Sequence, residues 1–258
     1  MKHLLLALFL LILLPAGALA AERLVVGVTP FPHKDIMQQA APLLEKTGYT
    51  LEIREFTDYV QPNLALGEKL IFANFFQHIP YLDNMNAEKK LDLVWIAKIH
   101  IEPLGLYSKK IKDVGELKKG DLVTVPNDPT NEARALRLLE ANGLITLKEG
   151  TLITVKDIVQ NQRGLVFKEI DAPQLPRTLP DVAAAVINTN FAGEAGLIPA
   201  RDALISEGEE SPYANVLVVR GADKDSSAAK ALIQAVQSPE VKKYIQETLL
   251  PRGIVPAF

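Results

Sequence analysis

The feature of this sequence that most constrains its fold is a series of short, almost wholly apolar segments separated by stretches with a helical pattern. Segments that are apolar throughout are typical of strands buried on both faces, as in a parallel sheet between helices. The sequence therefore predicts an α/β protein whose helices cover a parallel sheet. The predicted strands are residues 24–29, 50–56, 91–96, 104–108, 122–125, 182–187 and 215–220.

Capping residues and helix breakers mark the helices between these segments. Pro42 lies inside the first predicted helix, where its missing N–H predicts a kink or a split. No Gly/Ser linker interrupts the pattern, so the chain is expected to cross between lobes through ordered segments. The predicted helices are residues 35–47, 113–119, 154–160 and 226–237, and a further helix that begins at Ser238-Pro239-Glu240.

Residues 126–134 predict a helix start that suits an anion. Asp128 is expected to be the N-cap and Pro129 the first helical residue. Asn131 and Arg134 are three residues apart, so they share a face close to the unpaired backbone donors of the first turn. This combination suits a carboxylate. The alternative is a capped surface helix with a solvated arginine, and the segment alone does not decide between the two.

Other candidate residues lie where predicted strands end, which is where ligands bind in open α/β sheets. Asn188 follows the predicted strand 182–187, although an Asn at a strand end often bonds only its own turn. Residues 74–81 combine aromatic rings, an imidazole and an amide, a composition that suits a pocket wall and equally an ordinary core. Tyr59 and Asn215 carry no signal of their own.

Composition excludes several classes of function. The absence of cysteine excludes disulfides, thiolate zinc sites and a cysteine nucleophile. A net charge of −3 argues against nucleic acid or an anionic membrane surface as a partner. The 4 histidines lack the spacing of metal ligands, and hydrolase, P-loop and dinucleotide motifs are missing. Neither a metal nor a cofactor is therefore expected.

The N-terminus has the pattern of a cleavable export signal. Lys2 precedes an apolar run over residues 4–14, and the small-residue triplet Ala18-Leu19-Ala20 follows. The run is shorter than the roughly 20 residues that span a bilayer. Residues 1–20 are expected to be removed after Ala20, which leaves a soluble protein outside the inner membrane of a bacterium.

Eight segments of the chain, in order and in spacing, resemble the NlpA/MetQ family of substrate-binding proteins of methionine ABC importers. The resemblance runs from about residue 24 to the C-terminus, and VPNDPTN, FQHIPYL and DAPQLPR are its most specific parts. The segments are FTDYV, NFFQHIPYLD, GLYSKKI, ELKKGDLVTVPNDPTNEARAL, LLEANGLITLK, DAPQLPRTLPD, AAVINTNFA and ESPYANVLVV.

The resemblance implies a type-II periplasmic binding protein fold, in which two α/β lobes hold one amino acid in a cleft. Residues 21–106 plus 208–258 would form lobe 1 and residues 107–207 lobe 2, with the hinge near residues 105–108 and 206–215. A monomer that is not an enzyme would capture methionine, with L-methionine favoured, and deliver it to the permease and ATPase of an importer. D-methionine or a methionine-containing dipeptide is the alternative ligand, and an amino-acid-processing enzyme or a sensory domain is the alternative class.

The resemblance also implies the ligand contacts. The arginine would pair with the ligand carboxylate, the three asparagines would bond its carboxylate and ammonium groups, and the four ring-bearing residues would enclose its thioether. Chemistry agrees, because sulfur gains from aromatic contact and a carboxylate taken from water needs a site rich in donors. The expected ligand-binding residues are Tyr59, Phe76, His78, Tyr81, Asn131, Arg134, Asn188 and Asn215.

The N-terminus departs from the pattern of this family. Members usually carry an acylated cysteine that tethers them to the membrane, whereas this sequence has no cysteine. The expectation is therefore a freely diffusing periplasmic protein without a lipid anchor, or one that an uncleaved signal holds at the membrane.

Overall fold

The computed structural model describes residues 21–208 and 211–258, so the predicted export signal over residues 1–20 lies outside the described residues. Strands and helices alternate along the chain, which confirms the α/β class. The strands are β1 (Glu22–Val28), β2 (Tyr49–Glu55), β3 (Ala73–His78), β4 (Leu93–Ile101), β5 (Gly105–Tyr107), β6 (Leu122–Pro126), β7 (Thr146–Leu147), β8 (Ile158–Gln160), β9 (Val166–Ile170), β10 (Ala184–Ile187), β11 (Ala203–Ser206), β12 (Ala214–Arg220) and β13 (Val255–Pro256).

Helices pack around these strands and connect them. Shorter 3-10 and π turns lie between several of the elements. The α-helices are α1 (Asp35–Glu45), α2 (Gln61–Gly67), α3 (Ile79–Lys89), α4 (Pro129–Ala141), α5 (Leu175–Thr178), α6 (Thr189–Glu194), α7 (Pro199–Asp202), α8 (Ser227–Val236) and α9 (Pro239–Tyr244).

In the described part of the chain, the strands form two main sheets and a small ribbon of β7 and β8. The first sheet has the order β13-β4-β12-β3-β1-β2, and the second has the order β11-β5-β10-β6-β9. The prediction of a parallel sheet is wrong in part, because each main sheet also contains antiparallel pairs, such as β12 with β3 and β5 with β10. The path of the chain is the reason. β4 and β5 lead from the first sheet into the second, and β11 and β12 lead back in the opposite direction.

The seven predicted strands are all present with shifted ends, but the other six, β3, β7, β8, β9, β11 and β13, were not predicted. Asn74 and Gln77 interrupt the apolar pattern of β3, although all its residues are buried. The buried amides bond one another: Gln77 Nε2 donates to Oδ1 of Asn63 at 2.7 Å and to Oδ1 of Asn74 at 3.0 Å. Because this network satisfies the amides, a strand with polar residues remains stable in the interior.

Two of the predicted helices are wrong. The segments 113–119 and 154–160 contain only single 3-10 turns, at Val114–Glu116 and Val155–Asp157, and β8 follows the second turn. Both turns begin with a capping box, so the start signal was correct, but no buried apolar face continues the helix. Of the kink or split predicted at Pro42, the split is wrong, because α1 continues through Pro42.

The predicted helix 226–237 and the helix beginning at Ser238 are confirmed as α8 and α9. The side chain of Ser226 accepts from the backbone N–H of Ala229 at 3.1 Å, and that of Ser238 accepts from Val241 at 3.2 Å. Both serines are therefore N-caps, as their place before the apolar pattern predicts.

Each main sheet has its own apolar core. The first sheet packs against α1, α8 and α9, and the second packs against α4. The chain crosses twice between the sheets, and hydrogen bonds join the two crossing segments. The backbone N–H of Glu207 donates to the backbone oxygen of Leu104 at 2.9 Å, and the backbone N–H of Leu104 donates to Oε2 of Glu207 at 3.0 Å. Within residues 21–208 and 211–258, none of the helices has the length and apolarity needed to pass through a bilayer.

Candidate ligand-binding site

Elements of both sheets line one cavity, near the place where the chain crosses between them. The end of β3, the loop before α2 and the start of α3 meet the first turns of α4 and α6 there. The free space between the lining atoms, counted up to the open solvent, is about 330 Å³. The lining residues are Tyr59, Phe76, Gln77, His78, Tyr81, Glu102, Asn131, Arg134, Asn188, Thr189, Asn190 and Asn215.

The first turn of α4 holds Asn131 in a fixed orientation. Asp128 caps the helix, accepting from the Asn131 backbone N–H at 2.9 Å and from its Nδ2 at 2.9 and 3.0 Å. The Asn131 Oδ1 accepts from Nδ2 of Asn188 at 2.8 Å and lies 3.1 Å from Nε2 of His78. Asn131 therefore links both sides of the cavity.

The guanidinium of Arg134 is buried, 3% exposed, and is held along one edge. Its Nε donates to Oε1 of Glu207 at 2.8 Å, and its Nη2 donates to Oε2 of Glu207 at 2.5 Å and to the backbone oxygen of Glu102 at 2.7 Å. The ring of Tyr213 lies 4.2 Å from the guanidinium carbon. These contacts leave Nη1 without a hydrogen-bond partner among the described residues, so it is the donor suited to an incoming carboxylate.

Two buried amides in the cavity have polar atoms without partners in the described part of the chain. These are Oδ1 of Asn188, the residue before α6, and Nδ2 of Asn190. Buried polar atoms are usually paired, and leaving one unpaired costs about 1–3 kcal/mol. An acceptor and a donor are thus available to a polar ligand.

The opposite end of the cavity is aromatic. The ring of Tyr59 lies 6.0 Å from that of Phe76 and 5.8 Å from that of Tyr81, measured between centroids. The Tyr59 hydroxyl donates to Oδ1 of Asn190 at 2.6 Å, and the Tyr81 hydroxyl donates to the backbone oxygen of Tyr59 at 2.9 Å. Because both hydroxyls are bonded to protein atoms, the rings offer the cavity an apolar surface.

His78 lies between the polar and the aromatic ends. Its Nδ1 accepts from the backbone N–H of Tyr81 at 3.2 Å, so its Nε2 carries the proton and donates to Oδ1 of Asn131. Burial and the nearby charge of Arg134 lower the pKa of His78 to about 3. The imidazole is therefore neutral at neutral pH.

Several lining residues were not predicted from the sequence, above all Glu102. It follows β4 directly, and His100 on that strand lies 2.7 Å from its carboxylate through Nε2. His33 joins the same cluster, with Nε2 3.3 Å from Glu102 Oε1 and 3.2 Å from Oδ1 of Asn215. The pairing of β12 with β3 and β4 places His78 and His100 on either side of Asn215, and His33 contacts the same residue, so histidines that are scattered in the sequence are close in space.

The structure brings all eight residues expected from the sequence to this one cavity. The polar members are at the ends of β3, β10 and β12 and in the first two turns of α4, where strand ends and a helix start meet. Their roles toward a ligand remain predictions.

Comparison with known proteins places this chain among binding proteins. The model of the family described as NlpA lipoprotein matches residues 24–258. The D-methionine-binding lipoprotein MetQ of Escherichia coli K12 is 48% identical over 221 residues, which cover 84% of this chain and 82% of the relative.

Two solved structures are similar over almost the whole described chain. A nutrient-binding protein of Burkholderia cenocepacia, solved with bound methionine, has a TM-score of 0.88 and 44% identity and covers 91% of this chain and 100% of its own. An ABC transporter periplasmic substrate-binding protein of Coxiella burnetii has a TM-score of 0.87 with the same identity and coverage. The predicted type-II periplasmic binding protein fold is thereby confirmed.

The expectation of a freely diffusing protein without a lipid anchor is wrong, whereas cleavage after Ala20 stays a prediction because residues 1–20 lie outside the described residues. The matching family is described as a lipoprotein family, and the Escherichia coli relative is a lipoprotein by name. The expectation depended on residues 1–20 and on cysteine content alone. An anchor is attached outside the folded body of a protein, so neither the core nor the cavity records it.

The family match extends over residues 24–258, and the Escherichia coli relative shares 48% of its aligned residues with the chain. Similarity of this extent, together with the agreement of the folds, leads to one conclusion: this chain belongs to the NlpA lipoprotein family.

Proposed function

We propose that this chain is the substrate-binding protein of an ABC importer, which captures methionine, with L-methionine favoured, and delivers it to a permease and an ATPase. The observation that carries the proposal is the cavity itself, which has a buried guanidinium and buried amides at one end and aromatic rings at the other. A carboxylate needs the first environment, because it must regain the hydrogen bonds that it loses with water. A thioether gains from the second environment.

The relatives support the same ligand and the same role. The Escherichia coli protein is named for D-methionine binding, the Burkholderia structure contains methionine, and the Coxiella protein belongs to an ABC transporter. Their identities of 44–48% extend over most of the chain, so a common binding role is the simplest account of the shared fold.

The eight residues receive the roles that the resemblance implies. Arg134 pairs with the ligand carboxylate through its unpartnered edge, and Asn131, Asn188 and Asn215 bond the carboxylate and ammonium groups. The unpartnered Oδ1 of Asn188 supports this assignment, because it is an acceptor in a buried site and an ammonium group is a donor. Tyr59, Phe76, His78 and Tyr81 enclose the side chain.

The two sheets belong to two lobes, residues 21–106 plus 208–258 and residues 107–207, that close on the ligand. The hinge is expected near residues 105–108 and 206–215, beside the two crossings, which run over residues 102–104 and 207–213, and residues 209 and 210 of the second lie outside the described part. In the described part of the chain, the backbone passes from one sheet to the other only at these two crossings. Few covalent connections between two lobes support a hinge at those places.

The family relation points to binding rather than catalysis, and we propose that the chain has no enzymatic activity. His78 is the residue most suited to act as a base, but both its ring nitrogens are already bonded within the protein. Incubation with methionine or Gly-Met, followed by mass spectrometry, is expected to return each molecule unchanged. Formation of any product would contradict the proposal.

Isothermal titration calorimetry tests the ligand assignment. Protein that has been unfolded, dialysed and refolded, so that any copurified ligand is removed, is titrated with L-methionine, D-methionine and Gly-Met. We expect L-methionine to bind most tightly, with one molecule per chain. D-methionine is the second candidate, because the Escherichia coli relative is named for it. Absence of heat with all three molecules would contradict the proposal.

A further inference from the structure

The cavity is lined by one buried acid as well as by one buried base. Glu102 is 6% exposed, and it is the only acidic side chain among the twelve lining residues, as Arg134 is the only Lys or Arg. Burying an ionised carboxylate is costly unless a cation or several donors compensate it. The groups around the Glu102 carboxylate therefore indicate whether it is compensated within the protein or by a ligand.

Neutral donors, rather than cations, hold the carboxylate of Glu102. Nε2 of His100 lies 2.7 Å from its Oε1, and Nε2 of His33 lies 3.3 Å from the same oxygen. Nδ1 of His33 is itself bonded to Oγ1 of Thr29 at 2.7 Å, which fixes the ring. Burial lowers the pKa of His33 to about 4 and that of His100 to about 3, so both rings are uncharged at neutral pH.

The nearby cation does not pair with this carboxylate. Arg134 forms its ion pair with Glu207 and touches Glu102 only through the backbone oxygen of that residue, at 2.7 Å. Burial raises the pKa of Glu102, although His33 and Arg134 oppose the shift. Within the described residues, the carboxylate is therefore held in place without a close cationic partner.

We propose that Glu102 is the counter-ion of the ligand's α-ammonium group, so that the cavity selects amino acids whose amino group is free. A zwitterion carries its two charges on adjacent groups of one carbon. The cavity matches this arrangement, because the backbone of Glu102 is bonded directly to Arg134, the proposed partner of the ligand carboxylate. This inference rests on the proposed function, and it adds an acid to the set of eight residues.

The test compares L-methionine with 4-(methylsulfanyl)butanoate, which keeps the carboxylate and the thioether but lacks the amino group. Calorimetry on the wild-type chain and on Glu102→Gln gives four affinities. We expect the wild type to prefer methionine by about 30-fold or more, as for a desolvated charge pair. We expect Glu102→Gln to lose most of that preference through weaker binding of methionine, while its affinity for the butanoate is unchanged or higher.

Glu194→Gln is the matched control. Burial and the charge of Glu102 raise the pKa of Glu194, so its carboxylate is electrostatically close to the cavity, but it does not line it. This variant is expected to keep the wild-type affinity for both molecules. Thermal unfolding of each variant verifies that it is folded.

The outcomes separate this inference from the proposed function. If the wild type does not bind methionine, the proposed function fails, and the inference fails with it. Suppose that the wild type binds methionine. If Glu102→Gln then keeps the wild-type preference for methionine, or lowers the affinity for both molecules by the same factor, Glu102 is not the counter-ion. If Glu102→Gln does not fold, the wild type alone decides, because a preference below about threefold is too small for a desolvated charge pair and overturns the inference.

Discussion

Arg134 divides its donors between the protein and the cavity. One edge of its guanidinium is committed to Glu207 and to the backbone of Glu102, while Nη1 has no partner among the described residues. Such a division orients the cation before the ligand arrives. Less side-chain freedom is then lost on binding, which improves affinity.

Arg134→Ala is expected to weaken methionine binding by about 2–5 kcal/mol, because the ligand carboxylate would be buried without its partner. Calorimetry measures this directly. Arg137→Ala is the control, because Arg137 is one turn further along α4 and donates to the backbone oxygens of Gly150 and Thr151 without lining the cavity. Equal methionine affinity in Arg134→Ala and the wild type would contradict the assigned role.

The buried histidines make stability depend on pH. Burial lowers the pKa of His100 to about 3, whereas an unfolded histidine has a pKa of about 6.5. Between these values the unfolded chain binds more protons than the folded one, so stability falls as the pH decreases below about 6.5. His33 and His78 act in the same direction. The raised pKa of Glu102 acts in the opposite direction.

His100→Gln isolates one of these contributions while retaining a donor toward Glu102. The slope of the free energy of unfolding against pH is expected to become shallower by up to about 1.4 kcal/mol per pH unit near pH 5. Urea unfolding of the wild type and the variant at several pH values between 5 and 7.5 measures both slopes. Parallel slopes would show that His100 is not held neutral in the folded chain.

At the residue scale, the sequence pattern alone identified some of the residues that line the cavity, and the family resemblance identified others. The spacing of Asn131 and Arg134 at a helix start was informative by itself. Asn215 required the resemblance, because its place beside His78 and His100 depends on strand pairing. Glu102 was missed because nothing in its local sequence signals a cavity.

Among the elements, α4 connects stability to binding. The carboxylate of its cap, Asp128, accepts a hydrogen bond from the backbone N–H of Asn131. Both of its oxygens also accept from the side-chain Nδ2 of Asn131. A single side chain therefore starts the helix and orients a residue proposed to touch the ligand.

Asp128→Ala is expected to lower the free energy of unfolding by about 0.5–2 kcal/mol, the usual cost of losing an N-cap, and also to weaken methionine binding. Ser238→Ala removes the cap of α9, a helix that does not line the cavity, and is expected to lower the free energy of unfolding without affecting methionine affinity. Urea unfolding and calorimetry on both variants give the comparison. Unchanged methionine affinity in Asp128→Ala would show that binding does not need the held orientation of Asn131.

Helix starts were easier to predict than helices. Capping signals located α4, α8 and α9 correctly, but similar signals also began the 3-10 turns at Val114–Glu116 and Val155–Asp157. A cap supplies partners for only a few backbone groups, whereas a long helix also needs an apolar face to bury. That face depends on tertiary contacts, which local sequence does not specify.

For the molecule as a whole, the mixed sheets and the proposed hinge have a common origin. A chain that leaves the first sheet after β4 and returns in β12 must place an antiparallel strand in each sheet. Short apolar segments predict strands but not their direction, so this feature could not be predicted from the pattern alone. Glu207 lies in one crossing and bonds both Arg134 and the other crossing at Leu104, which links the cavity to the proposed hinge.

Closure of the lobes predicts a smaller radius of gyration in small-angle scattering when methionine is added, because bound ligand favours the closed arrangement. Arg134→Ala at the same methionine concentration is expected to scatter like the ligand-free protein. Identical wild-type profiles with and without methionine would contradict the hinge.

The central claim, that this cavity holds methionine with its charged end at Arg134 and its sulfur among the rings, is tested most directly by crystallography with L-selenomethionine as the ligand. Protein produced with ordinary methionine contains no selenium, so anomalous scattering at the selenium edge locates the ligand alone. The account predicts one anomalous peak beside Tyr59, Phe76 and Tyr81, with carboxylate density at Arg134. A peak outside the cavity, or a reversed ligand with selenium at Arg134, would contradict it.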